Sequence, residues 1–241
     1  MWEEADAGAN PVSNKLRSCS RTKLTPPLFG ALKEVVFEMG ASDLMEEVMQ
    51  RYCALDQEIR IFQLRTGLRC PDRCGICCDS PHVEATVLEC LPLAREIFCR
   101  KEEERISLAI EKKARKEDLR CVLFAPDEET TGLGRCAHYP FRPLVCRLFG
   151  YAARRSKTGR LELCPCKVIL ELLSEMPIQL GSQEVHRPYP PIYQDSFFQI
   201  ATMSPEMGFR LLPINAALKA ALDYVYWQRP KGRFPIHRKA A

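Results

Sequence analysis

Residues 70–78 read CPDRCGICC, which places four cysteines within nine residues. Thiols separated by two or three residues can converge on one point, and Gly75 allows the tight turn that such convergence needs. Five more cysteines follow in segments that contain glycine and proline, at Cys121, Cys136, Cys146, Cys164 and Cys166. This clustering predicts a metal site whose ligands come from several distant parts of the chain.

The compartment decides how these cysteines are interpreted. The chain begins MWEEADAGANPVSNK, which lacks the basic start and apolar run of a signal peptide, and no later stretch is apolar enough to cross a bilayer. We therefore expect a cytoplasmic protein with no membrane contact. Because the cytoplasm keeps thiols reduced, the 13 cysteines indicate metal binding or redox chemistry and not a disulfide scaffold.

Composition and motifs argue against several classes of function. The net charge of +4 is small, and no nucleic-acid recognition motif accompanies the basic runs. The sequence contains no phosphate-binding loop, no dinucleotide fingerprint and no catalytic triad pattern. Nucleic-acid binding, nucleotide-dependent chemistry and hydrolysis therefore have little support, whereas a protein partner stays open.

The region before the cysteines is predicted to be helical. Apolar residues recur every three or four positions from Leu44 to Phe62, which is typical of one face of an amphipathic helix. Ser42 or Asp43 is expected to cap the start of this helix, and Gly67 to end it. A shorter helix is expected at about residues 28–39.

Further helices are predicted after the cysteine stretch. Thr86 and Glu89 have the form of a capping box, which predicts a helix that runs toward Phe98 with a kink at Pro92. Residues 100–118 form a charged, exposed helical pattern, and two more helices are expected at 167–176 and 213–228. The stretch HRPYPPIYQD at 186–195 is expected to be a linker.

The predicted fold is mainly α, with helices around an irregular, cysteine-rich core. Residues 121–166 lack the apolar period of a long helix, so the free energy of metal binding is expected to contribute to their folding. One short β-hairpin is expected near residues 121–136. The expected organisation is a polar leader at 1–24, N-terminal helices at 25–67, a cysteine-cluster domain at 68–176, and a linker with a C-terminal helix at 177–241.

The thirteen cysteines separate into two groups. Four of them lie in helical patterns or in the leader and are interpreted as ordinary core or surface thiols: Cys19, Cys53, Cys90 and Cys99. The other nine lie in loop-like stretches and are the candidate ligands: Cys70, Cys74, Cys77, Cys78, Cys121, Cys136, Cys146, Cys164 and Cys166.

Two details bear on the geometry of the site. Adjacent side chains tend to point in different directions, so Cys77 and Cys78 fit one tetrahedral ion poorly unless one binds and the other supports it, or two metals share the pocket. No histidine stands at zinc-finger spacing, and His82 and His138 are secondary candidates only.

The spacing Cys70-x3-Cys74-x2-Cys77 also matches the cysteine triad with which radical enzymes that use S-adenosylmethionine hold an iron–sulfur cluster. The alternating strand and helix pattern of their partial barrel is missing here. The match is therefore one of spacing alone.

Residues 68–168 resemble the CxxCxxCC (YkgJ-type) cysteine-cluster family, which is described as a zinc- or iron-chelating domain. The specific part of the resemblance is C-x3-Y-x2-RP-x2-CR, which this chain matches from Cys136 to Arg147. One departure is the spacing between Cys70 and Cys74, with three residues where the family has two. The cluster region of flagellin lysine N-methylases, which are implicated with an iron–sulfur centre and S-adenosylmethionine, is similar more distantly.

The resemblance implies a ligand set of about eight thiolates. They are Cys70, Cys74, Cys77, Cys78, Cys121, Cys136, Cys146 and one of Cys164 or Cys166. Several thiolates around a metal leave excess negative charge, which Arg142 and Arg147 are candidates to offset by hydrogen bonds to sulfur. Structural salt bridges are the alternative role for both arginines.

Three functions follow from these observations. The first is a metal-binding protein that holds iron, as an iron–sulfur cluster, or zinc. The second is an S-adenosylmethionine-dependent iron–sulfur enzyme related to protein lysine N-methylases, with a pocket lined by Tyr139, Phe149, Tyr151 and the C-terminal helix. The third is a zinc-stapled interaction module. Whether the protein is an enzyme is left open by the sequence.

Overall fold

The computed structural model describes residues 40–127, 133–175 and 190–228. The chain divides into the units Met1–Phe37 and Glu38–Ala241, and the described residues all lie in the second. Three features noted in the sequence lie outside the described residues: the helix expected at about 28–39, Cys19, and the basic run RPKGRFPIHRK at 229–239. None of the helices in these ranges is long and apolar enough to cross a bilayer.

Helix α1 spans Ala41–Thr66 and buries the apolar face that the sequence predicts, from Leu44 to Phe62. Its end is also as predicted, because Gly67 adopts a φ of 74° and its N–H bonds to the Gln63 carbonyl. The predicted start is wrong. Gly40 occupies the N-cap position and no side chain caps the helix, so neither Ser42 nor Asp43 has that role.

Helix α3 (Val87–Cys99) is the centre of the packing and contacts both α1 and the C-terminal helix α9 (Ile214–Gln228). The predicted capping box is present: the Thr86 hydroxyl accepts from the Glu89 N–H at 3.2 Å, and a Glu89 carboxylate oxygen accepts from the Thr86 N–H at 3.2 Å. The helix continues through Pro92 to Cys99. Helix α4 (Glu103–Arg115) follows and buries Ile106 and Ile110 against this core.

Shorter helices frame the cysteine-rich region. Helix α2 is Ile76–Asp79, α5 is Leu144–Leu148 and α6 is Lys167–Glu175, with a single 3-10 turn at Tyr139–Phe141. Two further helices, α7 (Tyr193–Ala201) and α8 (Pro205–Gly208), are not indicated by the sequence. Helix α7 begins inside the stretch interpreted as a linker, because Ser196, Ile200 and Ala201 are buried by tertiary packing.

Three two-stranded antiparallel sheets occur in the described residues. Strands β2 (Phe124–Pro126) and β3 (Gly134–Cys136) form the hairpin predicted near 121–136. Strands β4 (Ala152–Arg155) and β5 (Leu161–Cys164) form a second, unpredicted hairpin. Strand β1 (Glu84–Ala85) pairs with β6 (Leu212–Pro213) and ties the start of α3 to that of α9. The expectation of a mainly α fold with short hairpins is confirmed.

Candidate metal centre

Five of the nine predicted cysteines surround one small cavity of about 20 Å³. They come from four segments of the chain: Cys77 and Cys78 from α2, Cys121 from the loop before β2, Cys136 from β3 and Cys146 from α5. The remaining wall is apolar except for Arg142, and consists of Val83, Leu93, Leu123, Pro143, Ile214 and Leu218. Thiols that are far apart in the sequence are therefore grouped in one enclosed, low-polarity space.

Two glycines allow the cysteine loop to lie directly on the β2–β3 hairpin. A Cβ added to Gly75 would lie 2.5 Å from a ring carbon of Phe124 and 3.1 Å from the Gly134 carbonyl oxygen, which leaves no room for a side chain. The Gly134 N–H donates to the Arg73 carbonyl at 2.9 Å, which joins the two segments. This close approach brings α2 next to β3, and with it Cys78 next to Cys136.

The Sγ atoms of Cys77 and Cys78 are 4.0 Å apart. Two thiolates that each bind one tetrahedral zinc ion at about 2.3 Å have sulfurs about 3.8 Å apart. The one-turn helix α2 therefore gives these adjacent side chains a separation suited to a single ion. The expectation that one of them binds and the other supports it, or that two metals share the pocket, stays a prediction.

The protonation of the thiols differs with position. A hydrogen bond from Cys78, helped by the positive charge of Arg142, lowers the pKa of Cys77 to about 7. The bond between Cys78 and Cys136 lowers the pKa of Cys136 and raises that of Cys78. Burial raises the pKa of Cys121 to about 11 and also raises that of Cys146. Cys77 and Cys136 are therefore the thiols that reach the thiolate form most easily.

Arg142 is the cation that faces the cysteines. Its guanidinium stacks over the Tyr139 ring at 3.6 Å, and its Nη2 lies 3.9 Å from Asp56. Its Nε is buried and has no hydrogen-bond partner in the part of the chain that the structure describes. A buried donor without an acceptor is costly, and a thiolate in the adjoining cavity is the kind of acceptor that would satisfy it.

Arg147 has a different environment from Arg142. Its side chain is only 1% exposed and bonds to Asp56, to the Pro140 carbonyl and, at 2.8 Å, to the Arg142 carbonyl. The guanidinium also lies over the Tyr52 ring, 4.3 Å from its centroid. These contacts join α1 to the turn before α5. This geometry favours the alternative role of Arg147, a structural salt bridge. These hydrogen bonds go to oxygen atoms and not to sulfur.

The other four candidate cysteines lie outside the small cavity. The Cys70 thiol accepts from the Tyr151 hydroxyl at 3.2 Å, and that hydroxyl accepts from the Cys70 N–H at 2.6 Å. Burial raises the pKa of Cys70, with smaller contributions from the neighbouring Cys74 and Cys166. Cys164 is exposed at the end of β5. The Tyr151 bond has no local sequence signal, because 81 residues separate its partners.

The two histidines proposed as secondary ligands lie away from the cavity. His82 is exposed. His138 is 2% exposed, its Nε2 lies 3.0 Å from a Glu102 carboxylate oxygen, and burial lowers its pKa. Neither residue lines the small cavity.

The cysteines interpreted as ordinary thiols divide between core and surface. Cys90 is buried in α3, as expected for a small apolar side chain, whereas Cys53 and Cys99 are exposed. Of the three aromatic residues expected to line a pocket, Phe149 lines a cavity, one of about 400 Å³ that is separate from the five-cysteine cavity. Tyr139 stacks on Arg142 and Tyr151 bonds to Cys70, and neither lines these two cavities.

Glu89 positions the helix that carries Cys146. The sequence indicates only its role in the capping box. Besides closing the capping box, its carboxylate accepts from the Leu144 N–H at 3.0 Å and so holds the first turn of α5, which carries Cys146. Its backbone carbonyl accepts from the Tyr52 hydroxyl at 3.1 Å. Burial raises the pKa of this carboxyl to about 7.

The donor set of the cavity fits a thiolate-bound metal. Over the described ranges, no three histidine, cysteine, aspartate or glutamate side chains are already arranged closely enough to hold an ion. Binding therefore requires the thiols to turn inward, which thiol side chains do by a single χ1 rotation. The soft sulfur donors, the enclosure and the unsatisfied Arg142 donor together suit zinc or iron.

Comparison with known proteins finds a match between the cysteine region and a family model. Residues 69–165, less than half of the 241, match the model of the CxxCxxCC family, described as a "putative zinc- or iron-chelating domain". No curated protein and no solved structure matches the chain, so the more distant likeness to flagellin lysine N-methylases stays an expectation. The expectation of a metal-binding cysteine domain is confirmed at the level of that description. The segment that carries the five cysteines of the cavity, residues 69–165, is therefore the part of the chain that is similar to the CxxCxxCC family.

Proposed function

We propose that this domain holds one zinc ion in a closed thiolate site that cross-links the fold. The ligands are drawn from the cavity set, Cys77, Cys78, Cys121, Cys136 and Cys146. The observation that carries the proposal is the convergence of these five thiols on one cavity of about 20 Å³. Zinc supplies structural cohesion without redox chemistry when it is bound in such a site.

The size of the cavity supports a single ion. A space of about 20 Å³ holds one body of about the size of a water molecule. An iron–sulfur cluster is larger and would need the apolar wall to move outward. The 4.0 Å separation of the Cys77 and Cys78 sulfurs adds to this support, since it is close to the edge of a zinc–thiolate tetrahedron.

The enclosure of the cavity supports a structural role. Structural zinc sites are closed by four protein ligands, whereas catalytic sites keep one position for water or substrate. The apolar residues between the thiols come from α3, from α9 and from the loops before β1, β2 and α5, and most of them belong to the hydrophobic core. An ion there would join α2, the β2–β3 hairpin and α5, which are too short to be stable alone.

A second candidate, an iron–sulfur cluster, is favoured by one observation. Cys70, Cys74 and Cys166 interact electrostatically beside the cavity and supply more thiols than one tetrahedral ion needs. Metal and acid-labile sulfide analysis of protein purified without oxygen separates the two. We expect about one zinc per chain and a colourless protein without labile sulfide. Stoichiometric iron with sulfide, or protein without metal, would contradict the zinc proposal.

Cysteine variants test which thiols bind the ion. Cys136→Ser and Cys146→Ser should each lose most of the bound zinc, because each removes a sulfur from the cavity. Cys99→Ala, which removes an exposed thiol of α3, should retain it. Cys70→Ser distinguishes the two candidates, since it leaves the zinc site intact but removes a thiol that the larger cluster would use. Equal metal loss in all four variants would overturn the assignment.

A further inference from the structure

A second, larger cavity lies against helix α5, which also carries Cys146 of the five-cysteine cavity. Its volume is about 400 Å³, within the range of pockets that hold small organic molecules. Helix α5 contributes Val145 and Leu148 to its wall, α7 contributes Tyr193, and the segment after α5 contributes Phe149. This cavity does not share a lining residue with the five-cysteine cavity.

The backbone around Gly150 shapes the floor of this cavity. Gly150 has a φ of 87°, and a Cβ there would lie 3.2 Å from both Cys166 Sγ and Ile169 Cγ1. Ala152, on the adjoining strand β4, presents only a methyl group. Gly150 therefore allows the segment after α5 to pack closely on Cys166 and Ile169, and the small side chain of Ala152 leaves space at the wall of the cavity.

The charges at the cavity argue against an ionic ligand. Arg154 is the one charged residue among the described residues that line it, and its Nε and Nη2 both lie 3.1 Å from a Glu162 carboxylate oxygen. The neighbouring pair, Arg155 and Asp195, is likewise closed at 3.0 Å. The cation at the edge is therefore already neutralised, and an anion would have to displace a carboxylate to reach it.

One polar group at the cavity is unsatisfied. Gln194 lines the cavity, and its Oε1 is buried without a hydrogen-bond partner in the ranges that the structure covers. A buried acceptor of this kind favours a ligand that brings an N–H or O–H group. The rest of the wall, with Phe149 and Tyr193 among it, favours apolar and aromatic surface.

We propose that this cavity is a binding site for an uncharged, largely apolar small molecule that carries one hydrogen-bond donor, directed at Gln194. The proposal does not depend on which metal the cysteine cavity holds, because the two cavities have separate walls. Cys164 and Cys166 lie at the edge of the larger cavity, so the thiol of Cys164, which is exposed, can report whether the cavity is occupied.

Fluorescence titration of the full chain with N-phenyl-1-naphthylamine tests the chemistry of the ligand. This probe is uncharged, apolar and has one N–H donor, and its emission rises in apolar surroundings. We expect saturable binding of one probe per chain. The N-methylated analogue, which lacks the donor, should bind about tenfold more weakly because it leaves the Gln194 acceptor unpaired. Absent or non-saturable binding would overturn the proposal.

Three variants place the bound probe in the cavity. Gln194→Leu should abolish the preference for the N–H probe over its methylated analogue. Ala152→Leu should weaken binding of both by filling the floor, with circular dichroism to establish that the variant is folded. The control is Phe198→Ala, which removes an exposed aromatic ring of α7 that does not line the cavity. Loss of binding in the control alone would place the probe on the surface and contradict the proposal.

Thiol alkylation gives a readout that does not depend on fluorescence. A saturating concentration of the probe should slow alkylation of Cys164 at least severalfold and leave that of Cys99, an exposed thiol of α3, unchanged. Equal rates at Cys164 with and without the probe would show that the cavity is empty. The metal content is measured on the same samples. If the protein is found not to bind zinc, the alkylation result therefore still tests the ligand site.

Discussion

Arg142 and Arg147 belong to the same short motif and both approach Asp56, yet the other contacts of their guanidinium groups differ. Arg147 donates to a carboxylate and two carbonyls and is nearly inaccessible, whereas Arg142 keeps one buried donor next to the thiols. The difference matters because several thiolates around a divalent ion carry excess negative charge. A planar cation beside them offsets that charge and donates a hydrogen bond to sulfur.

We predict that Arg142→Met lowers zinc affinity about tenfold or more, the usual effect of losing a group that supports metal ligands. The measurement is competition with a chromophoric zinc chelator at fixed pH. Arg115→Met is the matched control, because this arginine is 82% exposed on α4 and does not line the cavity. Equal zinc affinities for the two variants would show that Arg142 has no such role.

Among the secondary-structure elements, α3 and α5 are joined through Glu89. One carboxylate oxygen completes the capping box of α3 and the other accepts the Leu144 N–H at the start of α5. A five-residue helix has little stability of its own, so this bond and the packing of Leu144 and Leu148 determine where Cys146 lies. The carboxylate is almost fully buried, and its ionisation is therefore costly.

Glu89 should make stability depend on pH. Its pKa is about 7 in the folded protein against an ordinary value of 4.5, so the folded state holds the proton more tightly than the unfolded state does. Its contribution is fully present below about pH 4.5 and is lost as pH rises through about 7. Relative to Glu89→Gln, the native protein should lose about 3 kcal/mol of unfolding free energy between pH 5 and pH 8.

Urea unfolding of both zinc-saturated proteins across that pH range checks this prediction. The titration of the thiol ligands is common to the two proteins and cancels in the difference. A difference in unfolding free energy that stays constant from pH 5 to pH 8 would show that the carboxyl titrates as it does in the unfolded chain.

The molecule as a whole combines an ordinary helical core with a cysteine region that has little apolar packing of its own. Helices α1, α3 and α9 bury a continuous set of aliphatic and aromatic side chains. By contrast, the described residues 70–78, 121–127 and 133–148 form one-turn helices, a hairpin of three-residue strands and loops. The free energy of metal binding should therefore stabilise mainly the cysteine region and not the helical core.

We predict that chelation of the metal removes the amide hydrogen-exchange protection of residues 70–78 and 121–148 first. Protection of α3 and α9 should persist, because their buried apolar contacts do not need the ion. Mass-spectrometric exchange before and after chelation measures this difference. A uniform loss of protection across all helices would mean that metal and core unfold as one cooperative unit.

Much of the helical framework is determined by local sequence. The apolar period of α1, the glycine that ends it, the capping box of α3 and the apolar pattern of α9 act through neighbours within a few residues, so their signals are legible in the chain alone. The start of α1 differs from the predicted one because Gly40 forms the N-cap without any side-chain bond. Helix α7 was missed because its burial depends on strands and helices far away in sequence.

For the site, the number and spacing of the cysteines in residues 70–166 are enough to predict a cluster of thiols, because both are local properties of the chain. Which of these thiols share a cavity depends on the folded chain, which places Cys77, Cys78, Cys121, Cys136 and Cys146 at one cavity and Cys164 at another. The folded structure also gives the two arginines different surroundings, since Arg142 lines the cavity and Arg147 is bonded to Asp56 outside it. The physical reason is that convergence depends on chain crossings, such as the contact of Gly75 with the hairpin, which bring together residues tens of positions apart.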